Sequence, residues 1–158
     1  MNVGSFITSE KETYGIFSDG YAQSVTDEFI FEYNSLRDVL EKDSLSLMYE
    51  NALGTSKLKH SKIQFLPPLI NPTKIICVGM NYRKPYPIDG QKVSDPNNII
   101  LFGKNREAML AHLDFLESPV GDASNSFDYE GEIAVVIGKQ ARNISPANAH
   151  EYLSLIHI

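Results

Sequence analysis

The chain has 158 residues, 42% hydrophobic and 22% charged, which suits a globular protein of one ordinary domain or two small ones. A formal net charge of −6 and a pI near 5.1 argue against nucleic acid or an anionic membrane as the main partner, since both demand a basic surface. No apolar run approaches a membrane span and the opening "MNVGSFITSEKE" lacks a basic-then-apolar signal layout, so the expected location is cytoplasmic.

The first segment, "VGSFITSEKETYGIFSDGYAQSV", alternates short β-rich runs with polar turns, and Asp19-Gly20 is a tight-hairpin signal. Ser35 followed by Asp38 forms a capping box that opens a short amphipathic helix over "SLRDVLEKD". A second helix is predicted from Ser44 to a stop at Gly54, with its Leu and Met residues in the core. "FLPPLINPTK" concentrates prolines, which disfavours helix and predicts an extended linker. The boundary is placed near residue 70, giving a small N-terminal domain with linker over 1–70 and a second domain over 71–158.

Beyond the linker come three β-branched strands, "KIICVGMNY", "NNIILFGK" and "GEIAVVIGK", separated by long irregular segments and one short predicted helix, "REAMLAHLDFLE". The single cysteine, Cys77, sits in the first of these as an expected buried strand thiol and leaves no internal disulfide. With one glycine in "CVGMNY", dinucleotide binding has little support. The predicted class is α+β, mostly β: a small N-terminal β/α module followed by mixed β structure.

The stretch "FDYEGEIAVVIG" reads as a strand that carries Glu130 and Glu132 on one face with Ala134 and Val136, while Ile133, Val135 and Ile137 line the other. Both faces look buried. Two like charges at the start of an apolar strand call for an explanation.

"KIICVGMNYR", "ILFGK" and "DYEGEIAVVIGKQARNIS", in that order and spacing, resemble the fumarylacetoacetate hydrolase family. The run from about Ile63 to Tyr152 resembles the family, and the residues before it resemble the variable small domain that many members carry. The resemblance implies a mixed β-sandwich or roll for 71–158, incomplete at its C-terminal end. It also implies that Glu130 and Glu132 hold a divalent cation, magnesium or manganese, with calcium a further candidate. An unpaired carboxylate in an apolar setting is strongly disfavoured, and a hard cation removes that conflict. Same-face carboxylates about 7 Å apart along a strand can converge on one ion. No imidazole or thiol stands in this stretch, which disfavours zinc. The alternative is a solvated strand end.

Family members act on small 2-oxo or β-dicarbonyl acids by C–C hydrolysis, decarboxylation or enol–keto isomerisation, reactions joined by a metal-stabilised enolate. The resemblance implies that Lys104 in "FGK" anchors the substrate anion, and Arg83 in "NYR" is a carboxylate-binding candidate. Many family hydrolases follow the Asn-Tyr pair with a histidine and a glutamate that prepare a water. Here those places hold Pro85 and Ile88, neither of which moves a proton. His112, with Glu117 nearby, is the candidate substitute base; its alternative is an exposed helical histidine.

A third family carboxylate, an aspartate, lies roughly thirty residues beyond the acid pair, past residue 158, and "LSLIHI" departs from the family's glycine-containing continuation. The expectation is a truncated N-terminal fragment of a keto-acid enzyme, a homodimer when whole and inactive as the fragment. The alternative is a degenerate, non-catalytic β-rich binding or interaction domain.

Overall fold

The structure is a computed structural model that describes residues 1–81, 97–129 and 131–157. It divides into a unit of residues 1–69 with 110–158 and a unit of residues 70–109.

The first unit is built on an antiparallel sheet. β1 (Asn2–Ile7) pairs with β2 (Glu12–Ser18), and β2 pairs with β3 (Tyr21–Ser24) across the expected Asp19-Gly20 turn, where Gly20 takes φ 76°. That backbone region is open to glycine without a Cβ penalty. Two short strands, β4 (Leu58–Lys59) and β5 (Gln64–Phe65), complete the order β4-β3-β2-β1-β5. The expected extended linker therefore starts in the sheet, at Phe65. Beyond β5, the Leu66 amide donates to the Ser5 carbonyl and the Ser5 hydroxyl to the Pro68 carbonyl, so the proline-rich run lies along β1.

Three helices follow β3. α1 (Asp27–Glu32) is capped by the Thr26 hydroxyl, which accepts from the Phe29 amide, and Asp27 and Glu28 occupy its first turn, where acidic charge suits the helix N-terminus. No expectation from the sequence covers this helix. α2 (Leu36–Glu41) has the expected Ser35 cap, with the side chain accepting from the Asp38 amide. α3 (Leu45–Leu53) ends at Gly54. Gln23 of β3 reaches its C-terminal end, where one amide nitrogen donates to the carbonyls of Ala52, Leu53 and Thr55 at 3.2, 3.2 and 2.9 Å. The Ala52 and Leu53 carbonyls belong to the orphan acceptors every helix end must satisfy, and that of Thr55 lies just past the cap.

Alternation along β2 gives the sheet two working faces. Tyr14 and Ile16 join Phe29, Leu36, Val39, Met48 and Ala52 of the helices in a buried core. On the other face Phe17 packs edge-on against Phe6 and stacks on Phe65. The Tyr14 hydroxyl donates to the Tyr33 carbonyl at 2.5 Å, and burial, followed by the nearby Asp38 and Tyr33, pushes its pKa well up.

The apolar strands appear where they are expected but pair in twos. In the unit of residues 70–109, β6 (Ile75–Gly79) pairs antiparallel with β7 (Ile100–Lys104). In the first unit, β8 (Ala134–Ile137) pairs antiparallel with β9 (Leu153–His157), which takes in most of "LSLIHI". The described residues are thus mixed α/β and strand-rich. The predicted helix over "REAMLAHLDFLE" does not form. A single 3-10 turn covers Arg106–Ala108, and a tight turn follows in which the Asp114 amide donates to the Ala111 carbonyl, its carboxylate accepts from the Ala111 amide, and Leu113 takes φ 73°. A left-handed residue and a side chain competing for backbone donors both oppose helix.

Candidate functional site

Glu130 and Arg83 lie outside the described residues, as do Pro85 and Ile88. Glu132 is described, and its placement corrects the expected strand. β8 begins only at Ala134, so Glu132 precedes it in irregular chain and is exposed. Nor is β8 buried on both faces: Val135 and Ile137 are 46% and 62% exposed, and Val136 alone is half-buried. The physical reason is that side chains leave a ribbon above and below its plane, and among the described residues no packed layer covers both faces of β8 and its partner. The desolvation argument for a cation therefore lacks its premise at Glu132, because an exposed carboxylate stays ionised in water without help.

A metal centre needs converging donors, and a hard cation takes several oxygen ligands. Among the described residues no three His, Cys, Asp or Glu side chains come together in a way that could hold an ion. The described donors do not by themselves fit a magnesium or manganese site.

The other sequence candidates are divided between the two units. Lys104 is the last residue of β7, opposite Ile75, and is exposed in the unit of residues 70–109. His112 and Glu117 belong to the other unit. His112 sits in the turn of residues 111–114, exposed, with its ring edge-on to Phe65 at 4.9 Å between centroids and 89° between planes. It is exposed, as the alternative reading has it, but it stands in a turn and not in a helix. Glu117 is exposed in irregular chain. Cys77 is half-buried rather than buried.

Phe65, Gly138 and Asp43 make contacts that the sequence does not announce. Phe65 receives His112. Gly138 is buried, its amide donating to the Tyr152 carbonyl at 3.0 Å. Lys139 pairs with Asp43 at 3.5 Å, just past the end of α2. Gly138 alone leaves a trace in the sequence, as the glycine that closes an apolar run. A shallow groove bordered by Glu28, Glu32 and Glu50 over Phe29 and Leu47 contains none of the candidates.

The described residues thus form a strand-rich chain in which Glu132 leads into an apolar ribbon strand, with a β/α module earlier in the sequence. Residues 74–158, more than half of the chain, match the family model described as fumarylacetoacetate (FAA) hydrolase C-terminal, and the chain belongs to the fumarylacetoacetate hydrolase family.

Among its relatives, the mitochondrial oxaloacetate tautomerase fahd2 of Xenopus laevis is 36% identical over 118 residues, covering 67% of this chain and 35% of that protein. The oxaloacetate tautomerase YisK of Bacillus subtilis is 30% identical over 128 residues, covering 80% of this chain and 40% of its own. A fumarylacetoacetate hydrolase domain-containing protein 2 homolog of Dictyostelium discoideum is 40% identical over 85 residues, 54% of this chain and 27% of that one. The chain spans between 27% and 40% of the length of these curated relatives. Among the described residues no helix is long and apolar enough to cross a membrane.

Proposed function

We propose that the protein to which this chain belongs is an enzyme of keto-acid metabolism that interconverts the enol and keto forms of a small 2-oxo acid of the oxaloacetate type. The observation that carries this reading is the identity of residues 85 and 88. Hydrolysis needs a prepared water, and the places where many family hydrolases keep a histidine and a glutamate hold Pro85 and Ile88. Tautomerisation moves one proton between an enol oxygen and the far carbon of the enol double bond, breaks no C–C single bond and consumes no water, so it does not need that dyad. Two relatives named oxaloacetate tautomerase support the same choice.

Lys104 and Arg83 are the groups proposed to bind the substrate carboxylates, since cationic donors give charge-assisted hydrogen bonds to such anions. Uptake of magnesium or manganese by Glu130 and Glu132 belongs to the same proposal, supported by the family membership. So do the sandwich or roll of the whole catalytic domain and its homodimer.

The test follows the enol-to-keto conversion of oxaloacetate by ultraviolet absorbance with the full gene product, alongside calorimetric titration with manganese. Turnover lost with chelator, and both turnover and cation uptake lost in Glu130→Gln and Glu132→Gln, is the expected result. A rate indifferent to chelator and to both substitutions sinks the metal-enzyme reading. Absence of any turnover together with absence of cation uptake would favour the non-catalytic binding domain.

A further inference from the structure

The β/α module carries two exposed patches of opposite charge. One is the groove between α1 and α3, lined by the apolar Phe29 and Leu47 and bordered by Glu28, Glu32 and Glu50. Thr26 and Asn51, which also line it, tie the two helices together: the Thr26 amide donates to Asn51 Oδ1 at 2.9 Å and the Asn51 side-chain nitrogen to the Thr26 hydroxyl at 3.4 Å. Among the described residues no cation pairs with any of the three carboxylates. Lys42 donates to the Glu32 carbonyl and lies over the Tyr33 ring instead.

The other patch is an edge of the sheet. Lys57, Lys59 and Lys62 place three of the chain's 14 basic residues within six positions, around β4 and the 3-10 turn His60–Lys62. All three are exposed, and none has an ion-pair partner among the described residues. β4 ends the sheet order, so its outer edge has no strand neighbour among them. The two patches are held in one frame. Gln23 of β3, the strand beside β4, binds the carbonyls at the end of α3, and the Thr55 hydroxyl donates to the Ser24 carbonyl of β3 at 2.8 Å. The exposed Leu53 stands between Glu50 and Lys57 in the chain.

We propose that this module docks on a second copy of itself, the carboxylate-bordered groove of each copy receiving the lysine edge of the other. An isologous contact needs a self-complementary surface, and a twofold axis presents each of two opposite patches to its complement. Charge selects the partner, while the exposed Leu47 and Leu53 supply apolar surface to bury. The net charge of −6 repels two copies at long range, but at 0.15 M salt that field is screened beyond about 8 Å, which leaves the close pairs to decide. The contact uses residues of the module alone, so it rests neither on the proposed reaction nor on the homodimer of the catalytic domain.

Sedimentation equilibrium of the chain at about 0.15 M and about 0.5 M sodium chloride tests it, with a monomer–dimer equilibrium that weakens several-fold at the higher salt as the expected result. Glu32→Lys with Glu50→Lys, which spares Glu28 in the first turn of α1, should weaken dimerisation at least about tenfold, as should Lys57→Glu with Lys59→Glu. An equimolar mixture of the two variants should regain it as a heterodimer, because every reversed group then meets its complement. Glu32→Gln with Glu50→Gln reads the same loss with less disturbance of the helices. A chain that stays monomeric, or a mixture that does not associate, overturns the proposal. So does a dimer indifferent to salt and to both pairs of substitutions, which would belong to the exposed apolar ribbons. A monomeric chain whose groove takes up a synthetic lysine–leucine peptide overturns it too, by assigning the groove to a different basic partner.

Discussion

In the N-terminal sheet, Phe6 and Ala22 are fully buried, whereas in the ribbons Ile76, Leu101 and Ile137 are 60%, 60% and 62% exposed. All five stand in strands, and the local sequence gives little hint of the difference. The sheet has five strands, so β1, β2 and β3 each have a neighbour on both sides, and three helices cover the face that carries Tyr14 and Ile16. Among the described residues each ribbon strand has one neighbour. An apolar strand thus supplies hydrophobic surface without supplying its own cover, and burial depends on what a distant part of the chain brings to it.

The widest gap between the two regions should appear when side chains are shortened. Met48→Ala, at a site with no exposure, is expected to cost about 2–5 kcal/mol of stability in urea unfolding, against within about 0.5 kcal/mol for Ile137→Ala. Equal costs would break the comparison.

A smaller effect is expected at Gln23→Ala, which strips three carbonyls at the end of α3 of their shared donor. A loss of about 1–3 kcal/mol, with amide exchange in α3 accelerated, would show that buried polar pairing as well as apolar cover distinguishes the module. Ser35→Ala removes the cap of α2 and should cost about 1 kcal/mol by the same measurement.

The finest discrimination comes from pH. Tyr14 has its phenol pKa raised by burial first and by Asp38 and Tyr33 next, so the folded state holds this proton more tightly than the unfolded one. Its stabilising contribution is complete below the unfolded phenol value of about 10 and declines as pH rises beyond it. Tyr14→Phe should therefore flatten the alkaline limb of a stability–pH curve. An unchanged limb would place its origin elsewhere.

Much of the module was legible because its signals are local. The Asp19-Gly20 turn, the Ser35 cap with Asp38 three residues on and the stop at Gly54 each describe backbone groups a few residues apart, and each is present. α1 was equally local, with Thr26, Asp27 and Glu28 in order, but its six residues are too short for a persuasive apolar period. The region after β7 misled for the converse reason. Met109, Leu110, Leu113 and Leu116 have helical spacing, yet Leu110, Leu113 and Leu116 are exposed at 48%, 77% and 64%, and the turn closed by Asp114 takes precedence. A period favours a helix only where there is a face to bury it against.

The candidate site was legible as chemistry and not as geometry. The order of the motifs "CVGMNYR", "FGK" and "EGEIAVVIGK" sufficed for the family, since residue identity carries that resemblance. It did not place Glu132 ahead of its strand, leave Lys104 in a different compact unit from His112, or set the His112 ring against Phe65.

By itself, then, the sequence determined the caps, the hairpin turn, the positions of the apolar strands and the family, because these depend on neighbouring residues or on identity alone. Only the tertiary structure decided which apolar strands are covered, that the proline run lies along β1, and which residues of the module meet His112 and Lys139. Burial and ring contact require surfaces that meet across tens of residues, such as Phe65 with His112 and Asp43 with Lys139, and no local pattern encodes which surface arrives.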